Sequence, residues 1–344
     1  MGLPDASDSR LSLLTRWVHE DLGLSRGRIT VASADASFRR YFRVTQEAHS
    51  YIVMDAPPGK EDLGPFTHVA RMLAGIGLNV PMILAQDTAR GFLLLSDLGD
   101  RQYLDELAAP GAADTLYADA LGALARMQTA DSALVRGLPQ YSHALLLREM
   151  ELMPEWFLRR HLGLELSPAE SGMLGRLFET LAHIALEQPA TLVHRDYHSR
   201  NLLLSAENNP GILDFQDAVW GPVTYDLASL LKDCYIAWPT ARVREWALHY
   251  REELLAKGLP LPASTGEFIR WFDLMGLQRH IKVLGIFARL YYRDGKARYL
   301  ADLPRVLGYA REAAADYAET AQFADFLARR VEPEFPAAQQ RTLE

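Results

Sequence analysis

The chain has 344 residues, and its 36 Lys plus Arg against 44 Asp plus Glu give a formal net charge of −8. Hydrophobic residues make up 49% and charged residues 23%, ordinary values that exclude a largely disordered or collagen-like chain. The acidic balance argues against nucleic acid or an anionic membrane as partner, while leaving room for a local basic site. The length predicts two domains, or one domain with two lobes. A single cysteine, Cys234, excludes an intrachain disulfide and a cysteine-cluster zinc site, and fits a reducing cytoplasm. The N-terminus shows no basic start and no apolar signal core. No run approaches the roughly 18 apolar residues of a membrane helix. A soluble cytoplasmic enzyme or binding protein is expected.

Residues 9–24 predict a short amphipathic helix, with Leu11, Leu14, Trp17 and Val18 on one face. Strands are predicted at 29–33, 41–45, 51–55, 82–86 and 91–95, and a helix over 66–76 ended by Gly77. After Ser96-Asp97-Leu98-Gly99 the texture changes. Residues 100–188 are rich in Leu and Ala at helical spacing, and short strands at 191–193, 202–204 and 211–215 sit in a loop-rich patch. From Tyr225 to about residue 330 the pattern is helical again. The expected fold class is α+β and bilobal, with a β-rich N-lobe over 1–98 and a mainly helical C-lobe over 99–344. A cleft between lobes is a common place for a ligand.

The chemistry lies in His194-Arg195-Asp196-Tyr197-His198-Ser199-Arg200-Asn201, which reads H-x-D-x-x-x-x-N. Thirteen residues beyond Asn201 comes Ile212-Leu213-Asp214-Phe215. Phosphoryl transfer needs Mg2+ to neutralise phosphates and a group to orient the attacking hydroxyl. Asp196 can take or orient the hydroxyl proton. Asn201 and Asp214 offer the hard oxygens that magnesium prefers. The plainer reading is a polar loop whose Asp and Asn cap turns. Asp226 opens a helix, where the plainer reading is an N-terminal cap.

These motifs resemble those of the kinase-like phosphotransferases. The second histidine, His198, matches the H-x-D-x-H-x-x-N form typical of aminoglycoside phosphotransferases and their relatives. The resemblance implies a bilobal protein-kinase-like fold, ATP as donor, a bracing role for His194, His198 and Asp226, and a hinge at Leu94–Gly99 whose backbone at Asp97 and Leu98 would meet adenine. A protein substrate is disfavoured. His198 stands where protein kinases carry Lys, the magnesium motif is Asp214-Phe215-Gln216, and only eleven residues separate Asp214 from Asp226. The N-lobe also departs from the pattern. Met54 falls near the position of the ATP-binding lysine, and the following helix lacks the partnering Glu. Lys60 is a candidate substitute. In place of a glycine-rich loop stands 33–43, where Ser37 can donate to phosphate and Arg43 or Arg40 can contact it. Solvated strand arginines are the alternative.

Residues 214–226, with 51–58, 149–158 and 278–292, resemble the bacterial anomeric sugar kinases over roughly residues 10–320. Those enzymes phosphorylate N-acetylmuramate and N-acetylglucosamine at C1 in cell-wall recycling. The resemblance implies a sugar 1-phosphate product that a nucleotidyltransferase could consume. Independently, Arg279, Lys282, Arg289 and Arg293 form one predicted helical stripe in an acidic protein, suited to a carboxylated sugar or simply solvated. Glu149, Gln216, Asp217 and Trp220 are further candidates for sugar contacts, and each can equally be structural. Trp156 sits in an apolar helix and reads as core. Rival functions are a kinase of an aminoglycoside, choline or an amino alcohol, or a nucleotide-binding regulatory protein without catalysis.

Overall fold

Contacts in the computed structural model, which describes residues 8–34, 38–131 and 133–341, divide the chain into two units. One comprises Met1–Arg101 with Leu203–Asp217, the other Gln102–Leu202 with Ala218–Glu344. The sequence predicts one boundary, between 98 and 99. The structure instead returns a fifteen-residue segment, Leu203–Asp217, to the first unit. Local bonds explain this: Ile212 N–H donates to Asn79 O at 2.8 Å, Asn79 Nδ2 to Ser205 Oγ at 3.2 Å, and Asn208 Nδ2 to Gly77 O at 3.1 Å.

In the first unit Asp8 caps helix α1 (Ser9–Arg16), accepting from the backbone of Arg10 and Leu11 at 3.0 Å each. A π-helical turn, Trp17–Asp21, continues it. Leu14, Trp17 and Val18 thereby pack against Phe42, Val44, Val53, Phe92 and Leu94. Those residues belong to an antiparallel sheet of β1 (Arg28–Ala34), β2 (Arg40–Gln46), β3 (His49–Asp55), β4 (Ile83–Asp87) and β5 (Phe92–Ser96), in the order β1-β2-β3-β5-β4. Gly91 precedes β5 rather than joining it. Its φ is +76°, and a Cβ there would stand 2.0 Å from Ala56 O, so only glycine fits. Helix α2 (Leu63–Gly75) begins before the predicted residue 66 because Asp62 caps it through Gly64 N–H at 2.8 Å. Its Phe66 packs on Phe215, ring centroids 5.0 Å apart. The short β7 (Leu202–Leu203) and β8 (Gly211–Ile212) form a ladder.

The second unit is helical, apart from a ribbon of β6 (Ala190–Val193) and β9 (Val219–Pro222), paired antiparallel from Ala190 opposite Pro222 to Val193 opposite Val219. Its helices are α3 (Tyr103–Glu106), α4 (Ala112–Gln128), α5 (His143–Met150), α6 (Pro168–Glu187), α7 (Thr224–Leu231), α8 (Thr240–Ala256), α9 (Thr265–Asp294), α10 (Leu303–Ala315), α11 (Ala321–Phe326) and α12 (Phe335–Arg341). Helix α9 runs 30 residues through the core, from the cap Ser264 to Gly295. Leu274, Leu277, Ile281, Leu284 and Ala288 are buried along it. Among the described residues no helix is long and apolar enough to cross a membrane.

At Gly285 the backbone of α9 meets the start of a π-helical segment, Met153–His161. A Cβ at Gly285 would lie 2.4 Å from the Leu152 carbonyl carbon and 2.6 Å from Met153 N, both backbone atoms that cannot swing aside. Gly285→Ala is therefore expected to destabilise the protein by about 2–3 kcal/mol, read from the midpoint of urea unfolding.

Candidate active site

Strand β6 delivers the chain to the loop that carries Asp196. The turn is held from below by Asp226 on the first turn of α7, whose carboxylate accepts from His194 N–H at 2.6 Å and Arg195 N–H at 2.9 Å. Burial pushes the Asp226 carboxyl up to about 7, with the two amide bonds acting against it. Arg195 adopts φ +77°, a strained conformation that these bonds fix. His194 is fully buried, and its Nδ1 accepts from Asp196 N–H at 3.3 Å. Tyr197 OH anchors the loop to Ala120 O of α4 at 2.8 Å. Ser199 N–H donates to Asp233 at 2.9 Å.

Asn201 Nδ2 donates to the backbone oxygen of Asp196 at 2.9 Å. That bond orients the amide and leaves its Oδ1 as the group able to meet a cation. The Asp196 carboxylate accepts no hydrogen bond among the described residues. Burial works to raise its pKa, but Lys282, His198, Arg195 and His194 bring it below the ordinary carboxylate value. A carboxylate so placed is ionised and available to a proton. His198 is buried, edge-on to Tyr235 at 5.3 Å, with its Nδ1 unpartnered among the described residues. Burial first, and the charges of Arg279 and Arg200, lower its pKa against the pull of Asp233 and Asp196.

Around this loop lies a polar network the sequence did not reveal. Glu149 is buried and ion-pairs both Arg195 and, at 2.9 Å, Lys282. Tyr141 OH also donates to Glu149, and Lys282 Nζ donates to Tyr225 OH at 3.0 Å. Burial tends to raise the Glu149 pKa, yet Lys282 and Arg195 hold it below its usual value. Glu149, expected as a sugar contact, thus spends its charge on residues of its own unit. Arg279 and Lys282 are buried, Arg289 is half-buried and Arg293 exposed. The predicted basic stripe is therefore not one solvated face, because the middle of α9 is packed on all sides. Trp220 is half-buried on β9, its backbone N–H donating to Pro139 O at 2.9 Å. Trp156 is half-buried under Arg160, whose guanidinium stands 4.2 Å from the ring centre.

The first unit carries Asp214, at φ +63°, with Gln216 Nε2 donating to its Oδ1 at 2.8 Å. Gln216 is buried and Asp217 exposed. Arg43 grips Asp97 in a two-point ion pair of 2.6 and 3.1 Å and donates to Gly99 O at 3.0 Å. Burial would raise the Asp97 pKa, but Arg43, Ser50 and the Gly99 amide lower it. Both side chains act as a brace for the segment after β5, next to Leu98. Arg40 pairs with Asp8 and with the fully buried Asp55, 2.6 Å away, which also binds Arg10. Met54 is fully buried on β3. Lys60 lies 4.7 Å over the Phe38 ring. Ser37 lies outside the described residues.

Residues 28–268 match the phosphotransferase enzyme family. The chain belongs to that family. It is 49% identical over 333 residues to a Pseudomonas aeruginosa "N-acetylmuramate/N-acetylglucosamine kinase", covering 94% of this chain and 97% of the relative. A Neisseria meningitidis protein of the same name is 44% identical, covering 85% and 87%. Among solved structures, the GDP complex of aminoglycoside 2'-phosphotransferase-IIIa superposes with a TM-score of 0.63 at 15% identity, over 92% of this chain and all of that one. A Plasmodium vivax ethanolamine kinase superposes at 0.61 with 11% identity, over 90% and 89%. These structural likenesses place the fold as kinase-like.

Proposed function

We propose that this protein is an ATP-dependent sugar kinase that phosphorylates the anomeric hydroxyl of N-acetylmuramate and N-acetylglucosamine in cell-wall recycling. The observation that carries the chemistry is the free, ionised Asp196 carboxylate on a loop braced by Asp226. The names of the relatives, at up to 49% identity, support the acceptors. Asp196 orients the sugar hydroxyl and takes its proton as the bond to phosphorus forms. Asn201 and Asp214 each supply an oxygen donor for Mg2+, hard ligands of the kind that ion takes alongside nucleotide phosphates. When bound, Mg2+ neutralises the phosphates and stabilises the leaving diphosphate. Leu98 and its backbone neighbours are the proposed adenine contacts. Arg43 and Asp97 act through the brace they build, and Arg40 through its ion pairs with Asp8 and Asp55, rather than as free phosphate ligands. Gln216, Asp217 and Trp220 remain proposed sugar contacts. The site would work in the cytoplasm, where ATP is made, and its sugar 1-phosphate has the chemistry that a nucleotidyltransferase joins to a nucleotide.

The test is ADP release with Mg-ATP across N-acetylmuramate, N-acetylglucosamine, glucose, kanamycin and choline. Turnover on the two amino sugars, stopped by a chelator, is expected. Turnover confined to kanamycin or choline would keep the catalytic residues and discard the sugar. Nucleotide binding without transfer to any acceptor would favour a regulatory role.

A further inference from the structure

Half-buried Arg195 and the buried Lys282 and Arg279, all of the second unit, act electrostatically on Asp196, and Arg279 is tied to the catalytic loop through Cys234, whose neighbour Asp233 accepts from Ser199 N–H at 2.9 Å. Two of them are spent. Lys282 is held by Glu149 at 2.9 Å and Tyr225 OH at 3.0 Å, and Arg195 shares Glu149. Arg279 differs. It lies three residues before Lys282 on the same face of α9 and is 3% exposed. Its hydrogen bond among the described residues runs from Nη1 to the Cys234 sulfur at 3.2 Å. A thiol is a weak acceptor, and a guanidinium has five N–H donors. No carboxylate stands within ion-pair distance of Arg279 among the described residues. Asp233, whose charge Arg279 senses, gives its oxygens to the amides of Ser199 and Tyr235, at 2.9 Å each.

A buried guanidinium without a carboxylate is costly to keep, and a ligand anion offsets that cost. We propose that Arg279 is the carboxylate-binding residue of the acceptor site and sets the preference for an acidic sugar over its neutral counterpart. Cys234 holds one edge of the guanidinium and fixes its plane, leaving donors for a planar carboxylate. The inference rests on the acceptors proposed above. N-acetylmuramate differs from N-acetylglucosamine by a lactyl ether, which brings the carboxylate. A nucleotide phosphate is the other anion that could claim these donors, and the test separates the two.

The experiment compares kcat/KM for N-acetylmuramate, its uncharged carboxamide and N-acetylglucosamine, in the wild type and in Arg279→Met. The wild type should prefer the acid to the carboxamide by about 10- to 100-fold, the range for a hydrogen bond to a charged group. In Arg279→Met the acid-to-carboxamide ratio should fall toward one. An unchanged ratio in the variant, or an equal loss on all three sugars with a raised KM for ATP, would overturn the inference. So would a wild type indifferent to the carboxylate, a result that needs no variant to fold. Transfer to none of the three would sink the sugar reading and this inference with it, whereas transfer to all with no discrimination sinks the inference alone.

Discussion

Asp196→Asn should lower the rate of phosphoryl transfer by about 100- to 10,000-fold, the usual contribution of a positioned proton acceptor. Asparagine keeps the shape, and the Asp196 backbone can still receive Asn201 Nδ2 and reach His194 Nδ1. The fold of the loop does not depend on the lost charge, because Asp226, Tyr197 and Asp233 hold it. What disappears is the negative oxygen that accepts no hydrogen bond among the described residues and that Lys282, Arg195 and the two histidines keep ionised despite burial. ATP affinity, measured by calorimetry, should remain near the wild-type value. Turnover within a few-fold of wild type would show that Asp196 is not the proton acceptor.

Glu149→Ala should cost about 3–5 kcal/mol of stability, because it leaves the buried Lys282 and the half-buried Arg195 without their counter-charge. The same change frees the Tyr141 hydroxyl in the core. Adding Lys282→Met to the variant should recover part of the loss, since one of the stranded charges goes with it. Urea unfolding of the two single variants and the double variant measures this directly. A Glu149→Ala midpoint equal to wild type would mean that the network does not support the catalytic loop.

The parts of this protein legible in its sequence are those written in short stretches of chain. Asp196 and Asn201 sit in one loop and Asp214 follows two residues after β8, so the motif that carries the resemblance to kinase-like phosphotransferases is contained in about twenty residues of chain. The five strands of the N-terminal sheet were readable because their apolar residues cluster between turns. Strand β9 was not, since Val-Trp-Gly-Pro has no alternation and is a strand only because β6 lies beside it. The return of Leu203–Asp217 to the first unit depends on Asn79 and Gly77, far back in the chain. The Glu149 network failed to show for the same reason: Tyr141 and Glu149 share one stretch of chain, but Arg195, Tyr225 and Lys282 come from three others far along it. Arg279 and Lys282 look like members of a solvated stripe in sequence. Only the packing of α9 reveals that one is satisfied by a carboxylate and the other is not.

The proposed reaction turns on transfer to an anomeric oxygen. The most direct test is phosphorus NMR of the product formed from N-acetylmuramate and Mg-ATP by the wild-type protein. Phosphate bonded at C1 is the expected result. Phosphate on any other hydroxyl of the sugar, or an unchanged sugar beside intact ATP, would contradict it.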